Sequence, residues 1–224
     1  MKNKIELPFG AKIDADGKWQ QLLNRGQKNR HTPALFLDRD GVVFEEVHYL
    51  NTPEDTNLCD GAIETISLAN KRAIPVILVT NQSGIGRGKI SWVQFIKVQE
   101  KMMNDLALSG CFFNAVFACP HHEDAKPPLN AKNHHWRKPN PGMLFAATEM
   151  LQIDLSASWI IGDKATDLIA GQKAGLNGGM LVLTGYGSEE KEKVELQFGK
   201  NEKFSVRIGS SIADALSLIP LLST

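Results

Sequence analysis

The stretch from Ala34 to Val43 has the sequence ALFLDRDGVV, an apolar run that ends on two carboxylates. Residues 34–37 are short, apolar and preceded by a proline, which is typical of a fully buried strand. Asp38 and Asp40 would lie at the carboxyl end of that strand, where open α/β sheets carry functional groups. Two carboxylates so close repel each other unless a cation or a shared proton relieves them. Because Mg²⁺ prefers oxygen ligands and phosphate partners, the stretch predicts a magnesium site.

Taken alone, an Asp-x-Asp pattern would suit a strand that runs into an acidic turn. An EF-hand loop is excluded, because Val42 and Val43 follow Gly41 where such a loop needs further oxygen ligands. The functional interpretation therefore depends on the residues that follow the other strands.

Composition is ordinary for a globular protein. The chain has 224 residues, 42% of them hydrophobic and 22% charged, so we expect one domain with a sizeable core. Lysine plus arginine and aspartate plus glutamate both number 25, which gives no indication of a nucleic-acid or anionic-membrane partner. The start of the chain lacks a signal-peptide core, no run is long enough for a membrane helix, and three cysteines do not make a disulfide framework. We expect a cytoplasmic monomer.

Residues 1–33 differ from the rest because they carry no motif. One short helix is predicted around Lys18–Leu23, and the segment is interpreted as an amino-terminal extension that either packs on the domain or frays. The domain itself is predicted over residues 34–224.

Apolar runs and amphipathic stretches alternate from residue 34 onward. Predicted strands lie at 34–37, 75–80, 115–118, 159–162, 180–183 and 205–208. Predicted helices lie at 61–72, after a capping box at Ser91 and Gln94, and at 141–152, 165–174 and 211–218. This alternation indicates an α/β fold, with a parallel sheet and helices on both faces.

Functional side chains follow four of the predicted strands. They are Asp38 and Asp40, then Thr80, then Cys119 with His121, and finally Asp163 with Lys164. Because the carboxyl ends of parallel strands meet at one edge of a sheet, we expect these groups to form one site.

Four motifs resemble those of the haloacid dehalogenase-like phosphatases: LDRDGV, VTNQSG, the lysine of RKPNPGM, and IGDKATD. Within that superfamily, FLDRDGVV, Tyr49, TNQSGIGRGK, CPHH and RKPNPGM resemble the branch of D,D-heptose 1,7-bisphosphate phosphatases and histidinol-phosphatases. The resemblance covers roughly residues 35–187. It implies a three-layer, Rossmann-like haloacid dehalogenase fold, and the short segments between strands leave no room for a large cap domain.

The resemblance also implies catalytic roles. Asp38 is the expected nucleophile, and Asp40 the general acid that then activates water. Mg²⁺ is expected on Asp38, the backbone carbonyl of Asp40, and Asp163. Thr80 and Lys138 are expected to bind the phosphoryl oxygens.

The implied substrate is a small phosphorylated sugar, namely heptose 1,7-bisphosphate cleaved at position seven, with histidinol phosphate as the alternative. A different class of protein, a non-catalytic sugar-phosphate-binding module, is the second hypothesis. Such a module is expected to lack Asp38, Asp40, Lys138 or Asp163, and the sequence keeps all four. The residues expected to bind substrate are Arg39, Glu46, Tyr49, Asn81, Gln82, Ser83, Arg137 and Lys164.

Two further residues receive specific interpretations. Arg137 suits a second phosphate, since a guanidinium binds phosphate in a bidentate manner. Asp167 either starts the following helix or lies near the metal.

One loop departs from the family pattern. The related enzymes bind a structural zinc through CPHH and a later Cys-x-Cys, but here the second pair falls on His134 and Trp136, and tryptophan cannot ligate zinc. One alternative keeps zinc; the other, slightly favoured, is a loop without metal, held by packing of Trp136. The candidate zinc ligands are Cys119, His121 and His134, with His135 or His122 as substitutes.

Overall fold

Eight strands form one sheet whose centre is the strand that precedes Asp38. The computed structural model describes residues 5–24, 31–199 and 203–223. The strands are β1 (Ala11–Ile13), β2 (Trp19–Leu22), β3 (Leu35–Leu37), β4 (Val76–Asn81), β5 (Ala115–Cys119), β6 (Trp159–Gly162), β7 (Gly178–Val182) and β8 (Ser205–Gly209). Across the sheet the order is β1-β2-β5-β4-β3-β6-β7-β8, in which β1 and β2 are antiparallel to their neighbours and the other pairs are parallel.

Helices cover both faces of this sheet. Leu35 and Leu37 belong to one buried apolar cluster and Phe36 to another, because successive side chains of a strand point to opposite faces. The helices are α1 (Ala62–Lys71), α2 (Ser83–Gly86), α3 (Trp92–Leu108), α4 (Gly142–Leu151), α5 (Ala165–Ala174), α6 (Gly187–Phe198) and α7 (Ala215–Leu218). The first cluster contains residues of α1, α3 and α7, and the second contains residues of α4, α5 and α6.

This arrangement confirms the predicted three-layer α/β fold. Between β3 and β4 the chain contributes only α1 and a 3₁₀ turn at Pro53–Asp55, so no large cap domain is inserted there. The predicted capping box is present, with Ser91 and Gln94 bonding each other's backbone at the start of α3. None of the helices in the described ranges is both long and apolar enough for a transmembrane span.

The predicted helix at Lys18–Leu23 is wrong, because Trp19–Leu22 is a strand. It pairs with β5, and Trp19 and Gln21 are buried while the intervening Gln20 is less so. The Trp19 ring stacks on Trp92 at 5.5 Å and lies edge-on to Phe95 at 5.3 Å. Long-range pairing and aromatic packing therefore override a local helical tendency.

The described part of the predicted extension thus packs on the domain. Strands β1 and β2 join the main sheet, whereas residues 1–4 and 25–30 of the extension lie outside the described residues. A second difference concerns residues 187–198, where no helix was predicted and where the structure has α6. Val194 and Phe198, one turn apart, are its buried apolar residues.

The packing of Trp19 provides a stability prediction. We expect Trp19→Ala to lower the free energy of unfolding by about 3–5 kcal/mol, because it removes a fully buried ring and leaves a cavity. Urea unfolding followed by circular dichroism measures the change. Leu108→Ala, at an 88% exposed position, is the control and should stay within about 0.5 kcal/mol of the wild type. Equal stability of both variants would show that the hairpin formed by β1 and β2 does not pack on α3 in solution.

Candidate active site

The strand ends place most of the predicted site residues around one cavity of about 300 Å³, but Cys119 and His121, which were expected to join the same site, do not line it. Asp38 follows β3, Thr80 lies at the end of β4 and Asp163 follows β6, three neighbouring parallel strands. Asp163 is fully buried and does not line the cavity itself. The predicted catalytic and substrate-binding residues that line the cavity are Asp38, Arg39, Asp40, Glu46, Tyr49, Thr80, Asn81, Gln82, Ser83, Arg137, Lys138 and Lys164.

Lys138 is a buried cation that contacts the carboxylates of this site. Its Nζ lies 2.9 Å from Asp38 Oδ1 and 2.6 Å from Asp167 Oδ1, and it donates to the Val79 carbonyl at 2.7 Å. Burial alone would lower the pKa of the Lys138 ammonium, but the carboxylates of Asp167 and Asp38 raise that pKa above its usual value. The lysine is therefore held as a fixed positive charge beside Asp38.

Three carboxylates surround this charge. Ligand oxygens of Asp38, Asp163 and Asp167 lie within 4.8 Å of one another. Burial, and then the nearby charges of Asp38 and Asp167, raise the pKa of Asp163 to about 8. Burial also raises the pKa of Asp167 to about 6, although Lys138 opposes this effect. Both pKa values rise mainly because the carboxylates are buried and, to a lesser degree, because they lie beside further acids, and a bound cation would favour their charged forms.

Asp163 shows how a cation would fit. Its Oδ2 accepts a hydrogen bond from the Tyr186 backbone N–H at 2.9 Å, whereas its buried Oδ1 has no hydrogen-bond partner among the described residues. A buried oxygen without a donor, beside two further carboxylates, suits a hard divalent ion. These residues therefore fit Mg²⁺, with Asp167 close enough to join the predicted ligands.

The turn after β3 brings the backbone close to this cluster. Gly41 has φ +79°, and a Cβ at this position would lie 2.6 Å from Asp163 Oδ2. Only glycine fits such a close approach in a left-handed conformation. The Thr184 hydroxyl donates to the Gly41 carbonyl at 2.6 Å and ties the turn to the loop after β7.

Asp40 is oriented by two side chains. Arg39 donates from Nε and Nη2 to the two oxygens of Asp40 at 3.0 and 3.1 Å, and Gln82 Nε2 donates to Oδ2 at 3.0 Å. Gln82 also donates to the Thr80 hydroxyl at 2.9 Å. Because the Arg39 side chain is buried and bonded to Asp40, its expected contact with substrate stays a prediction.

The rim of the cavity carries both signs of charge. Burial, and then the charge of Asp40, raise the pKa of Glu46 to about 7. Burial by itself would lower the pKa of the Lys164 ammonium, but the carboxylates of Asp163 and other acids raise that pKa above its usual value. The ammonium lies 4.0 Å from the Tyr186 ring centroid. Burial lowers the pKa of the Arg137 guanidinium, which donates to the His121 carbonyl at 3.1 Å. This rim can therefore bind an anion.

Comparison with known proteins agrees with this geometry. The sequence model of the HAD-hydrolase-like family matches residues 135–202. A D-glycero-beta-D-manno-heptose-1,7-bisphosphate 7-phosphatase of Mesorhizobium japonicum is 42% identical over 166 residues, which are 74% of this chain and 76% of the relative. The chain belongs to the haloacid dehalogenase-like phosphatases. Because the relatives are named as phosphatases, this chain is an enzyme of that class, and the binding-module alternative loses its support.

Other similarities concern the substrate and the metal. A D-glycero-alpha-D-manno-heptose-1,7-bisphosphate 7-phosphatase of Photorhabdus laumondii is 37% identical over 157 residues, covering 70% of this chain and 86% of the relative. The crystal structure of a D,D-heptose 1,7-bisphosphate phosphatase from B. bronchiseptica, complexed with magnesium and phosphate, has a TM-score of 0.69 at 30% identity. The match covers 81% of this phosphatase and 94% of the B. bronchiseptica chain.

Some residues at the site were predicted only in part or not at all. Asp167 was left open between a helix start and a position near the metal, and the structure is compatible with both: its Oδ2 accepts from the Lys164 N–H at 3.0 Å, and its carboxylate belongs to the cluster with Asp38 and Asp163 that fits a metal. Arg87 lies over the Tyr49 ring at 5.3 Å and belongs to the TNQSGIGRGK motif, which could have indicated it. Tyr186 follows β7 in a glycine-rich loop that carries no comparable signal.

The loop that departs from the family pattern is held by packing and by Asp16. The rings of His121 and His134 stack at 3.7 Å, and both histidines hydrogen-bond to Asp16. Cys119 Sγ lies 3.8 Å from His134 Nδ1, but the potential ligand group within 4.8 Å consists of His121, His134 and Asp16. Trp136 is buried against Phe117. The comparisons give no support for zinc here, so zinc at Cys119, His121 and His134 stays an unsupported prediction.

Metal binding by this phosphatase can be tested without turnover. At a concentration of Mg²⁺ one hundred times its dissociation constant, we expect the wild type to gain about 2.7 kcal/mol of stability, because the ion binds the folded carboxylate cluster. Asp163→Asn should lose this gain and, without metal, should be no less stable than the wild type, since one of three closely spaced buried carboxyl groups is replaced by a neutral amide. Thermal unfolding with Mg²⁺ and with EDTA measures both effects.

The control for this experiment is Asp60→Asn, which removes an exposed carboxylate. It should keep the full response to Mg²⁺. If Asp163→Asn responds to Mg²⁺ as strongly as Asp60→Asn does, the metal is bound elsewhere.

Proposed function

We propose that this phosphatase is Mg²⁺-dependent and acts through an aspartyl-phosphate on Asp38, removing the position-seven phosphate of D-glycero-D-manno-heptose 1,7-bisphosphate. The observation that carries the proposal is the position of Asp38 at the base of the cavity, with Lys138 Nζ 2.9 Å away and Asp163 and Asp167 in the same cluster. A carboxylate beside a fixed cation is placed to attack a phosphoryl group whose oxygens that cation also binds.

The reaction would proceed in two displacements. In the first, an Asp38 oxygen forms a bond to phosphorus as the bond to the sugar oxygen breaks, and protonated Asp40 donates its proton to that oxygen. In the second, water attacks the aspartyl-phosphate, Asp40 accepts the water's proton, and inorganic phosphate leaves with Asp38 restored. Bound Mg²⁺ supplies positive charge to the transferred group, and the residues that would hold it are Asp38, Asp163 and Asp167 with the Asp40 carbonyl.

Positive charge at the rim supports a substrate with two phosphates. Arg137 and Arg87 both line the cavity, and neither forms an ion pair with an acid in the described ranges. Guanidinium groups without a carboxylate partner suit a second phosphate, which histidinol phosphate lacks. Relatives are named for both the alpha and the beta anomer, so the proposal names no anomer.

The cellular setting is proposed on separate grounds. Cys59, Cys111 and Cys119 are buried free thiols, which is usual for proteins of a reducing compartment. We place the phosphatase in the cytoplasm on this basis. Its monomeric state and the absence of nucleic-acid and membrane partners stay predictions from composition.

Replacement of the nucleophile tests the mechanism. We expect Asp38→Asn to lower kcat at least about a thousandfold, because an amide oxygen cannot form the phosphoenzyme. Phosphate release with Mg²⁺ is measured on both anomers of heptose 1,7-bisphosphate, on histidinol phosphate, on other sugar phosphates and on nucleotides, with Asp60→Asn as the control. Comparable rates in Asp38→Asn would remove the covalent mechanism, and a preference for another substrate would remove the heptose assignment.

The role of Arg137 is tested by comparing two substrates. We expect Arg137→Ala to raise KM for heptose 1,7-bisphosphate about tenfold to a hundredfold, the usual cost of a lost charged hydrogen bond. p-Nitrophenyl phosphate, which has one phosphate, should be hydrolysed within about twofold of the wild-type rate. Arg207→Ala, an exposed arginine on β8, is the matched control. An equal loss on both substrates would show that Arg137 does not recognise the second phosphate.

A further inference from the structure

The turn between β1 and β2 contacts the loop that carries Arg137. Asp14 Oδ1 accepts from the backbone N–H groups of Asp16 and Lys18 at 3.1 and 2.9 Å and shapes this turn. The Lys18 ammonium pairs with Asp14 and Asp16 and lies 4.9 Å from the Trp136 ring centroid. The turn is therefore ordered where it meets the loop.

Asp16 is the point of contact with two histidines of that loop. His134 Nε2 lies 2.9 Å from Asp16 Oδ2, and His121 Nε2 lies 2.8 Å from the Asp16 backbone carbonyl. The two imidazole rings are parallel within 3°. One residue of the amino-terminal hairpin thus fixes the side chains of both histidines.

The backbones of the same histidines hold Arg137. The His121 carbonyl accepts from Arg137 Nη1 at 3.1 Å, and the His134 carbonyl accepts from the Arg137 backbone N–H at 2.9 Å. The guanidinium and the main chain of Arg137 are therefore both anchored to residues that Asp16 holds. Arg137 lines the cavity, whereas Asp16 does not.

We propose that Asp16 is a positioning residue: by binding His121 and His134 it orients Arg137 toward the second phosphate of the substrate. This proposal rests on the proposed role of Arg137. It assigns to the amino-terminal hairpin a part in substrate selection, because the hairpin determines where the guanidinium points. Without the contact, binding of the bisphosphate would have to order the arginine as well.

A double-mutant cycle tests the proposal. Asp16→Ala removes the Oδ2 contact to His134 and keeps the backbone carbonyl contact to His121. It should raise KM for heptose 1,7-bisphosphate about two- to tenfold, the usual cost of ordering one long side chain, with kcat on p-nitrophenyl phosphate within about twofold. In an Arg137→Ala background the same substitution should change KM no further, because the residue that it positions is gone. Asp16→Asn keeps an acceptor oxygen and should recover most of the wild-type KM. Asp124→Asn, an exposed acid paired with His122, is the control for charge.

A chemical measurement tests the proposal independently of the substrate. Phenylglyoxal should modify Arg137 faster in Asp16→Ala than in the wild type or in Asp124→Asn, as measured by mass spectrometry of the peptide. An unchanged rate would overturn the proposal, and so would an equal rise in KM in the Arg137→Ala background. One zinc per chain, lost in Asp16→Ala, would also overturn it by making Asp16 a metal ligand. If Arg137→Ala does not affect the bisphosphate selectively, the proposed function fails instead.

Discussion

The buried ammonium of Lys138 is the interaction on which the site depends. The ammonium pairs with Asp38 and Asp167, two of the three clustered carboxylates, and its charge offsets the cost of burying them side by side. The lysine reaches them from a loop that is fastened to the sheet, since its backbone N–H and carbonyl both bond to the side chain of Asn81 at the end of β4. The charge that stabilises the cluster and the backbone that delivers it are therefore parts of one structure. Loop and sheet cannot separate without leaving buried carboxylates unpaired.

Much of the site was predictable because it follows from one rule of topology. Asp38 and Asp163 follow buried strands and Thr80 lies at the end of one, and parallel strands place their carboxyl ends at the same edge. No knowledge of loop conformation is needed for that inference. The central sheet and its flanking helices were predictable on a separate ground, because alternating buried strands and amphipathic helices favour a parallel sheet covered on both faces. What these residues do chemically came from the family motifs and not from the rule.

The rest depends on contacts between distant parts of the chain. Trp19–Leu22 forms a strand only because β5 is available to pair with it and Trp92 and Phe95 receive the Trp19 ring. Asp16 meets His134 for the same reason, and nothing in its own neighbourhood indicates that contact. A sequence pattern reports local tendency, whereas these partners are chosen by tertiary packing.

Because of the hairpin of β1 and β2, the edge strand on this side of the sheet is β1 and not β5. Every residue of β5 is buried, and β2 covers the side of β5 that does not pair with β4. If the hairpin detached, one edge of β5 would expose backbone N–H and C=O groups without hydrogen-bond partners, flanked by apolar side chains. Such an edge can pair with strands from other molecules. In the folded chain β2 pairs with that side of β5, so the packing of the hairpin also guards β5 against pairing with strands of other molecules.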